Sequence, residues 1–243
     1  MRRFYLDHPL AIGDDAELDA DLAQRLHKVL RLRPGERIIL INGSQHEFEA
    51  EILALSARAG TARVLSRQAA LAEPGVRVTL YQSLIRENRF ELVLEKATEL
   101  GVAAIVPLAS RRSVVRADER SARRQRWQRI LVEAAEQCGR AGPPTLGEPV
   151  DLETAFAKAE GALILPWEEE RACSLSEALQ DLPAETAAVS LFIGPEGGFE
   201  AAEVETARAS GAQIVSLGRR ILRSETAAIA AVSLVMQSLG ELG

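Results

Sequence analysis

Two regimes of apolar patterning divide the chain. Up to about residue 68 the apolar stretches are short and strand-like, and Arg37–Ile41 and Glu47–Leu53 flank Asn42-Gly43, a strong hairpin signal. One segment there has helical spacing: Leu22, Leu26, Val29 and Leu30 predict a helix over about Asp19 to Leu30. Ala69–Gly75 is weakly periodic and ends in the breaker pair Pro74-Gly75, so it reads as a domain linker. Beyond it the apolar runs are Val76–Tyr81, Ala103–Pro107, Ala162–Leu165, Val189–Ile193 and Gln213–Leu217. They alternate with helix-length segments near Asn88–Leu100, Glu119–Cys138, Leu175–Leu179, Glu200–Ser210 and Glu225–Leu239. Strands apolar on both faces, with helices between them, predict an α/β fold with a mostly parallel sheet. The expected division is a small β-rich domain over 1–70 and an α/β domain over 74–243.

A chain of 243 residues has room for two such domains, each with its own core. There is no run of eighteen apolar residues, so no membrane-spanning helix is expected. The start, Met1–His8, lacks the apolar stretch of a secretion signal, and Cys138 and Cys173 read as free thiols. The expectation is a cytoplasmic protein with no membrane partner.

The net charge of -6 argues weakly against a nucleic-acid partner, but it averages over a strong asymmetry. Leu108–Gly142 holds nine arginines against four acids, whereas Pro143–Leu217 holds three basic residues against fourteen acids. Only Lys28, Lys96 and Lys158 of the 29 basic residues are lysines. The planar fork of arginine suits phosphate oxygens and base edges, although a GC-rich genome gives the same bias. His8, His27 and His46 lie far apart in sequence and near no Cys pair, so no metal site is expected. G-x-S-x-G and H-E-x-x-H are absent, which leaves hydrolase and metalloenzyme chemistry unsupported.

Three segments remain as candidates for chemistry. Ile193–Phe199 follows an apolar strand and precedes a helix, the place where open α/β sheets bind ligands. Its glycines permit a close backbone approach, and Pro195 stiffens the loop. The spacing fits neither the dinucleotide fingerprint nor a P-loop, and a plain tight turn is the competing reading. Leu217–Ala227 again joins strand end, loop and helix start. Arg219, Arg220 and Arg223 crowd it, with Ser224 as the predicted N-cap and Glu225 at the positive end of the helix. Such a cluster points to an anionic partner, or else to a solvated loop. The helix after it, Thr226–Met236, is apolar nearly all round, which fits a core helix or a subunit interface. Glu133–Arg140 closes an arginine-rich helix that includes Trp127 and terminates at Gly139. That helix suits RNA, or it is an amphipathic helix with Trp127 turned inward.

These segments, in this order, resemble the bacterial ribosomal RNA small subunit methyltransferase E family. The likeness rests on Ile193–Phe199, Leu217–Ala227, Glu136–Arg140 with Pro144, and Lys96–Val102 followed by Ile105, Pro107, Arg112 and Ser113. Met1–Tyr5, Val29–Gly35 and Asn42-Gly43 extend it over nearly the whole chain. The resemblance implies an N-terminal PUA-like β-barrel and a C-terminal SPOUT domain, an α/β trefoil knot that binds S-adenosyl-L-methionine. It also implies a homodimer acting on N3 of a uridine in 16S ribosomal RNA of the small subunit. A knot goes against a strong general rule.

By that resemblance the cofactor lies among three loops. The first holds Leu165, Pro166 and Trp167; the second holds Ile193, Gly194, Glu196, Gly197 and Gly198; the third holds Leu217, Gly218, Ile221 and Leu222, with Thr226 beside it. RNA contact falls to Arg2, Arg3 and Arg31 in the first domain and to Arg111, Arg112, Arg140, Arg219 and Arg220 in the second. Uracil N3 is protonated at neutral pH, so an arginine that stabilises the developing anion is needed; Arg223 is the candidate, and Glu225 is the candidate base. Two rivals stand beside this reading: a SPOUT enzyme that modifies a ribose 2′-hydroxyl or another base, and a non-enzymatic RNA-binding module.

Overall fold

The computed structural model describes residues 1–112 and 120–242; Ser113 and Arg116 of the family motif and the basic run lie outside them. The chain forms two compact units. The first comprises Met1–Glu73 and Val132–Pro143, the second Pro74–Leu131 and Pro144–Gly243.

The first unit is a five-stranded sheet. Its strands are β1 (Arg3–Tyr5), β2 (Asp15–Leu18), β3 (Arg37–Ile41), β4 (His46–Leu55) and β5 (Gly60–Ala69), in the order β1-β3-β4-β5-β2. The β3–β4 turn is the expected Asn42-Gly43. Gly43 adopts φ +77 and the Asn42 side chain accepts the Ser44 N–H. Register shifts at Glu49/Ala50 and Ile52/Ala54 interrupt the ladder between β4 and β5, and such bulges bend a strand and increase its twist. Phe48, Ala50 and Ile52 alternate into a core shared with Phe4, Leu40 and Val64.

The predicted helix of this unit forms as α1 (Ala20–Gln24), capped by Asp19 and continued by a π-helical turn, Arg25–Val29. The π turn places Leu26 in the core and exposes Val29, one of the four residues expected on the buried face. Arg31 ends the helix at φ +55, a left-handed position where glycine is usual, and Leu32 N–H donates to Leu26 O at 3.0 Å.

The second unit carries a seven-stranded sheet in which every pair is parallel. Its strands are β6 (Arg77–Ser83), β7 (Ala104–Ala109), β8 (Thr145–Leu146), β9 (Val150–Asp151), β10 (Ala162–Pro166), β11 (Ala188–Ile193) and β12 (Gln213–Val215). The order is β12-β10-β11-β6-β7-β8, with β9 also on β7. The helices are α2 (Glu87–Glu99), α3 (Arg120–Cys138), α4 (Leu152–Lys158), α5 (Leu175–Gln180), α6 (Ala201–Ala209) and α7 (Ser224–Ser238). One face of the sheet packs Leu80, Ile164 and Leu191 against α2, α5 and α7; the other packs Tyr81, Phe192 and Ile214 against α4 and α6. Burial on both faces explains why these strands read as unbroken apolar runs. Ala228, Ala231, Val232 and Val235 of α7 are buried within the chain, so that face of the helix is core. Trp127 turns inward onto Phe90, ring centroids 4.5 Å apart, and is not the exposed aromatic of an RNA surface.

Candidate functional site

Parallel pairing brings the carboxyl ends of the neighbouring strands β12, β10, β11 and β6 to one edge. That edge is where open α/β sheets hold ligands. The segments that follow β10, β11 and β12 enclose a cleft of about 720 Å³, counted out to its open mouth.

Most of the residues expected around a ligand meet here. Pro166 and Trp167 come from the first loop, Ile193, Gly194, Glu196 and Gly198 from the second, and Leu217, Gly218, Ile221 and Leu222 from the third. Arg219 and Arg220 line the third loop as well. Three expected residues lie off the wall. Leu165 is fully buried in the core beneath, because the alternation of β10 turns it away from the cleft. Gly197 faces Arg112, whose stem lies 3.3 Å from the position a Cβ would take. Thr226 is exposed on the first turn of α7. Glu168, Arg171 and Ser216 line the cleft without having been singled out from the sequence, and Phe199, the end of the glycine-loop motif, lines it too. Arg171 is a lone base after three glutamates, and no spacing rule marks it.

The glycine loop is clamped from outside. Gly198 N–H donates to Pro195 O at 3.0 Å, closing a turn that holds Gly198 at φ +68. Arg112 Nη1 donates to Gly197 O at 2.8 Å, and the Glu196 carboxylate accepts the Arg86 N–H at 3.2 Å. Ser224 Oγ donates to Gly194 O at 2.5 Å. The sequence-based expectation made Ser224 the N-cap; instead Arg223 occupies the cap position and Ser224 is the first helical residue, its hydroxyl spent on the glycine loop. The first loop is also ordered. Glu170 accepts the Ala172 N–H at 2.7 Å, and that bond above all, with the Arg208 guanidinium and the Arg171 and Cys173 N–H groups, holds its carboxyl below the usual range.

Charge at the rim of this unit is mostly cationic. Arg219, Arg220 and Arg223 are exposed. Arg111 and Arg112 are exposed too, each 3.5 Å from a Glu200 oxygen. Glu225 is nearly buried. One of its oxygens lies 3.5 Å from Arg89 Nε, and the other is enclosed with no hydrogen-bond partner among the described residues.

In the first unit Arg2 and Arg31 are exposed, while Arg3 pairs with Glu47 at 2.7 Å. Arg140 departs from the expectation of a surface cation. It is only 5% exposed and bonds Glu73 at 3.0 Å, so its guanidinium serves this unit's interior. Glu136, in the last turn of α3, accepts the Tyr5 N–H at 3.0 Å and pairs with Arg25 at 2.8 Å. Burial nonetheless raises its carboxyl above the ordinary value, against the pull of those two partners.

Among the described residues no group of three or more His, Cys, Asp or Glu side chains could hold a metal ion, and no helix is long and apolar enough to cross a membrane. Among the described residues neither Cys138 nor Cys173 forms a disulfide.

Residues 72–236 match the model of an RNA methyltransferase domain, and 26–65 that of an RNA methyltransferase PUA domain. Fold, cleft and these matches together define a two-part RNA methyltransferase. A protein from Mycobacterium bovis named ribosomal RNA small subunit methyltransferase E is 33% identical over 96% of this chain and 90% of its own length. One of the same name from Synechocystis is 33% identical over 88% of this chain and 71% of its own. The crystal structure of a Neisseria gonorrhoeae protein of that name, bound to S-adenosyl methionine, superposes with a TM-score of 0.87 at 35% identity, covering 98% of this chain and 97% of that one. The chain belongs to the ribosomal RNA small subunit methyltransferase E family.

Proposed function

We propose that this chain transfers a methyl group from S-adenosyl-L-methionine to N3 of a specific uridine in 16S ribosomal RNA, acting in the cytoplasm as a homodimer. In this reading residues 74–243 form the trefoil-knotted catalytic domain. Residues 1–70 form the RNA-binding domain, which uses Arg2, Arg3 and Arg31. The observation that carries the reading is the cleft, whose lining combines glycine backbone, the carboxylates of Glu168 and Glu196 and the exposed arginines of the third loop.

The lining fits the cofactor. Gly218 adopts φ +107 with nothing within 4 Å of a Cβ position, so a ligand has room against that backbone. Ile193, Leu217 and Leu222 offer apolar walls for an adenine ring, and Glu168 and Glu196 supply negative charge for a cationic molecule. Trp167 Nε1 is enclosed without a hydrogen-bond partner among the described residues. When bound, S-adenosyl-L-methionine supplies an electrophilic methyl group.

The chain's own residues have two further tasks. Deprotonation of uracil N3 puts negative charge on the ring carbonyls, and the exposed guanidinium of Arg223 is suited to stabilise it. Glu225, paired with Arg89, is the carboxylate nearest in sequence that could accept the proton. Arg111, Arg112, Arg219 and Arg220 extend the contact to the RNA backbone. The test is calorimetry with S-adenosyl-L-methionine, followed by transfer of a labelled methyl group to ribosomal RNA from cells lacking the protein. Uptake and transfer are expected; a folded protein that takes up no cofactor would contradict the proposal.

A further inference from the structure

We propose that Gln82 is a positioning residue for methyl transfer, acting through Ser224 on the first carbonyl of the glycine loop. Gln82 stands in the middle of the sheet, paired in register with Ile193 on β11 and Pro107 on β7, and it is fully buried. Apolar residues dominate these central strands, so a primary amide there needs a reason. Its Nε2 donates to two oxygens at 3.0 Å, the Ser83 carbonyl and Ser224 Oγ. The Ser83 carbonyl accepts only, which fixes which end of the amide points that way. Ser224 Oγ therefore receives a hydrogen from Gln82, and its own proton goes to Gly194 O. Gln82 Oε1 is left enclosed with no hydrogen-bond partner among the described residues, so the side chain is not simply satisfied where it lies.

The consequence is a three-member relay behind the cleft. It turns the Gly194 carbonyl inward and ties the glycine loop to the first residue of α7, one position after Arg223. The loop on the cofactor side and the arginine on the base side are thus set by one buried amide. Misalignment of reacting groups by about 1 Å costs on the order of a hundredfold in rate. The relay therefore acts on the rate more than on cofactor affinity. This inference rests on the proposed function for its catalytic meaning, but its structural content is independent of it.

The experiment compares Q82M, S224A and the double variant in the full-length protein. Q82M keeps length and removes the donor. With cofactor absent, amide exchange at Gly198, which bonds Pro195 O, should be roughly tenfold faster in both single variants. With cofactor and RNA, kcat should fall roughly tenfold to a hundredfold while KM for S-adenosyl-L-methionine moves less than about threefold. Because the two residues act in series, the double variant should be no worse than the poorer single one. S224T, which keeps the hydroxyl, should recover most of the rate lost in S224A. Wild-type exchange at Gly198 in Q82M, or effects that multiply in the double variant, would overturn the relay. If Q82M does not fold, S224A and S224T decide the exchange result. A wild-type protein that transfers no methyl group would remove the proposed function instead, and the exchange comparison would still judge the relay.

Discussion

Gly198 sits at φ +68, with the Glu168 carboxylate where a Cβ would go, and it lines the cleft. G198V should abolish cofactor binding while the far-ultraviolet circular dichroism stays native; normal affinity in the folded variant would remove this loop from the site. Arg223 is the other residue with a sharp expectation. R223A should slow methylation by about a hundredfold, the scale for loss of one oxyanion-type donor, with cofactor affinity little changed. Higher pH should restore part of the rate, since more uracil then ionises unaided. R223K should rescue poorly, because a point charge does not bridge as a planar fork does. A wild-type rate in R223A at saturating substrates would move the role to Arg219 or Arg220. Residue types at strand ends marked the second and third loops of this site, whereas the first, Leu165–Trp167, followed only from the family resemblance. Arg171 and Ser216 were not legible, because what brings them in is the adjacency of β10 and β12, not a local motif.

Elements were legible where burial is symmetrical. β10 and β11 lie under helices on both faces, so their apolar runs stand out, as do the glycines after β11. The seven residues of α4 escaped notice with only the Asp151 cap to mark their start, whereas the six of α5 are framed by a Ser174–Glu177 capping box. α3 forms as the expected helix, but its division between the two units was not legible. Its pattern runs unbroken from Arg120 to Cys138, yet its last turns belong to the first unit, held by partners more than a hundred residues away in sequence. That tail makes a pH prediction. The Glu136 carboxyl is raised in the folded state, so the native protein binds its proton more tightly than the unfolded chain does. Its contribution therefore favours folding below the ordinary carboxylate value and is lost as pH rises through the raised one. Urea unfolding of wild type and E136Q across that window should show wild type losing ground to E136Q as pH rises. Parallel stability curves would contradict the assignment.

At the scale of the whole molecule, the net charge of -6 conceals a division of labour between an acidic segment that builds the cleft and arginines at its rim. Binding to RNA should therefore be strongly salt-dependent despite the acidic total. R111A should reduce the log–log salt slope by roughly 0.7 to 0.9 and leave cofactor affinity intact. R112A should reduce both, because Arg112 also holds the Gly197 carbonyl. Equal salt slopes for R111A and wild type would take Arg111 out of the RNA contact. Arg140, buried against Glu73, shows why a basic surface is hard to read from sequence: its partner lies 67 positions away. The modified atom can be identified directly. Ribosomal RNA from cells lacking the protein, treated with the purified enzyme and S-adenosyl-L-methionine, should be digested to nucleosides and analysed by mass spectrometry against authentic standards. One new nucleoside, 3-methyluridine, is expected, arising from a single site in 16S RNA. A 2′-O-methylated nucleoside, or a different methylated base, would contradict it.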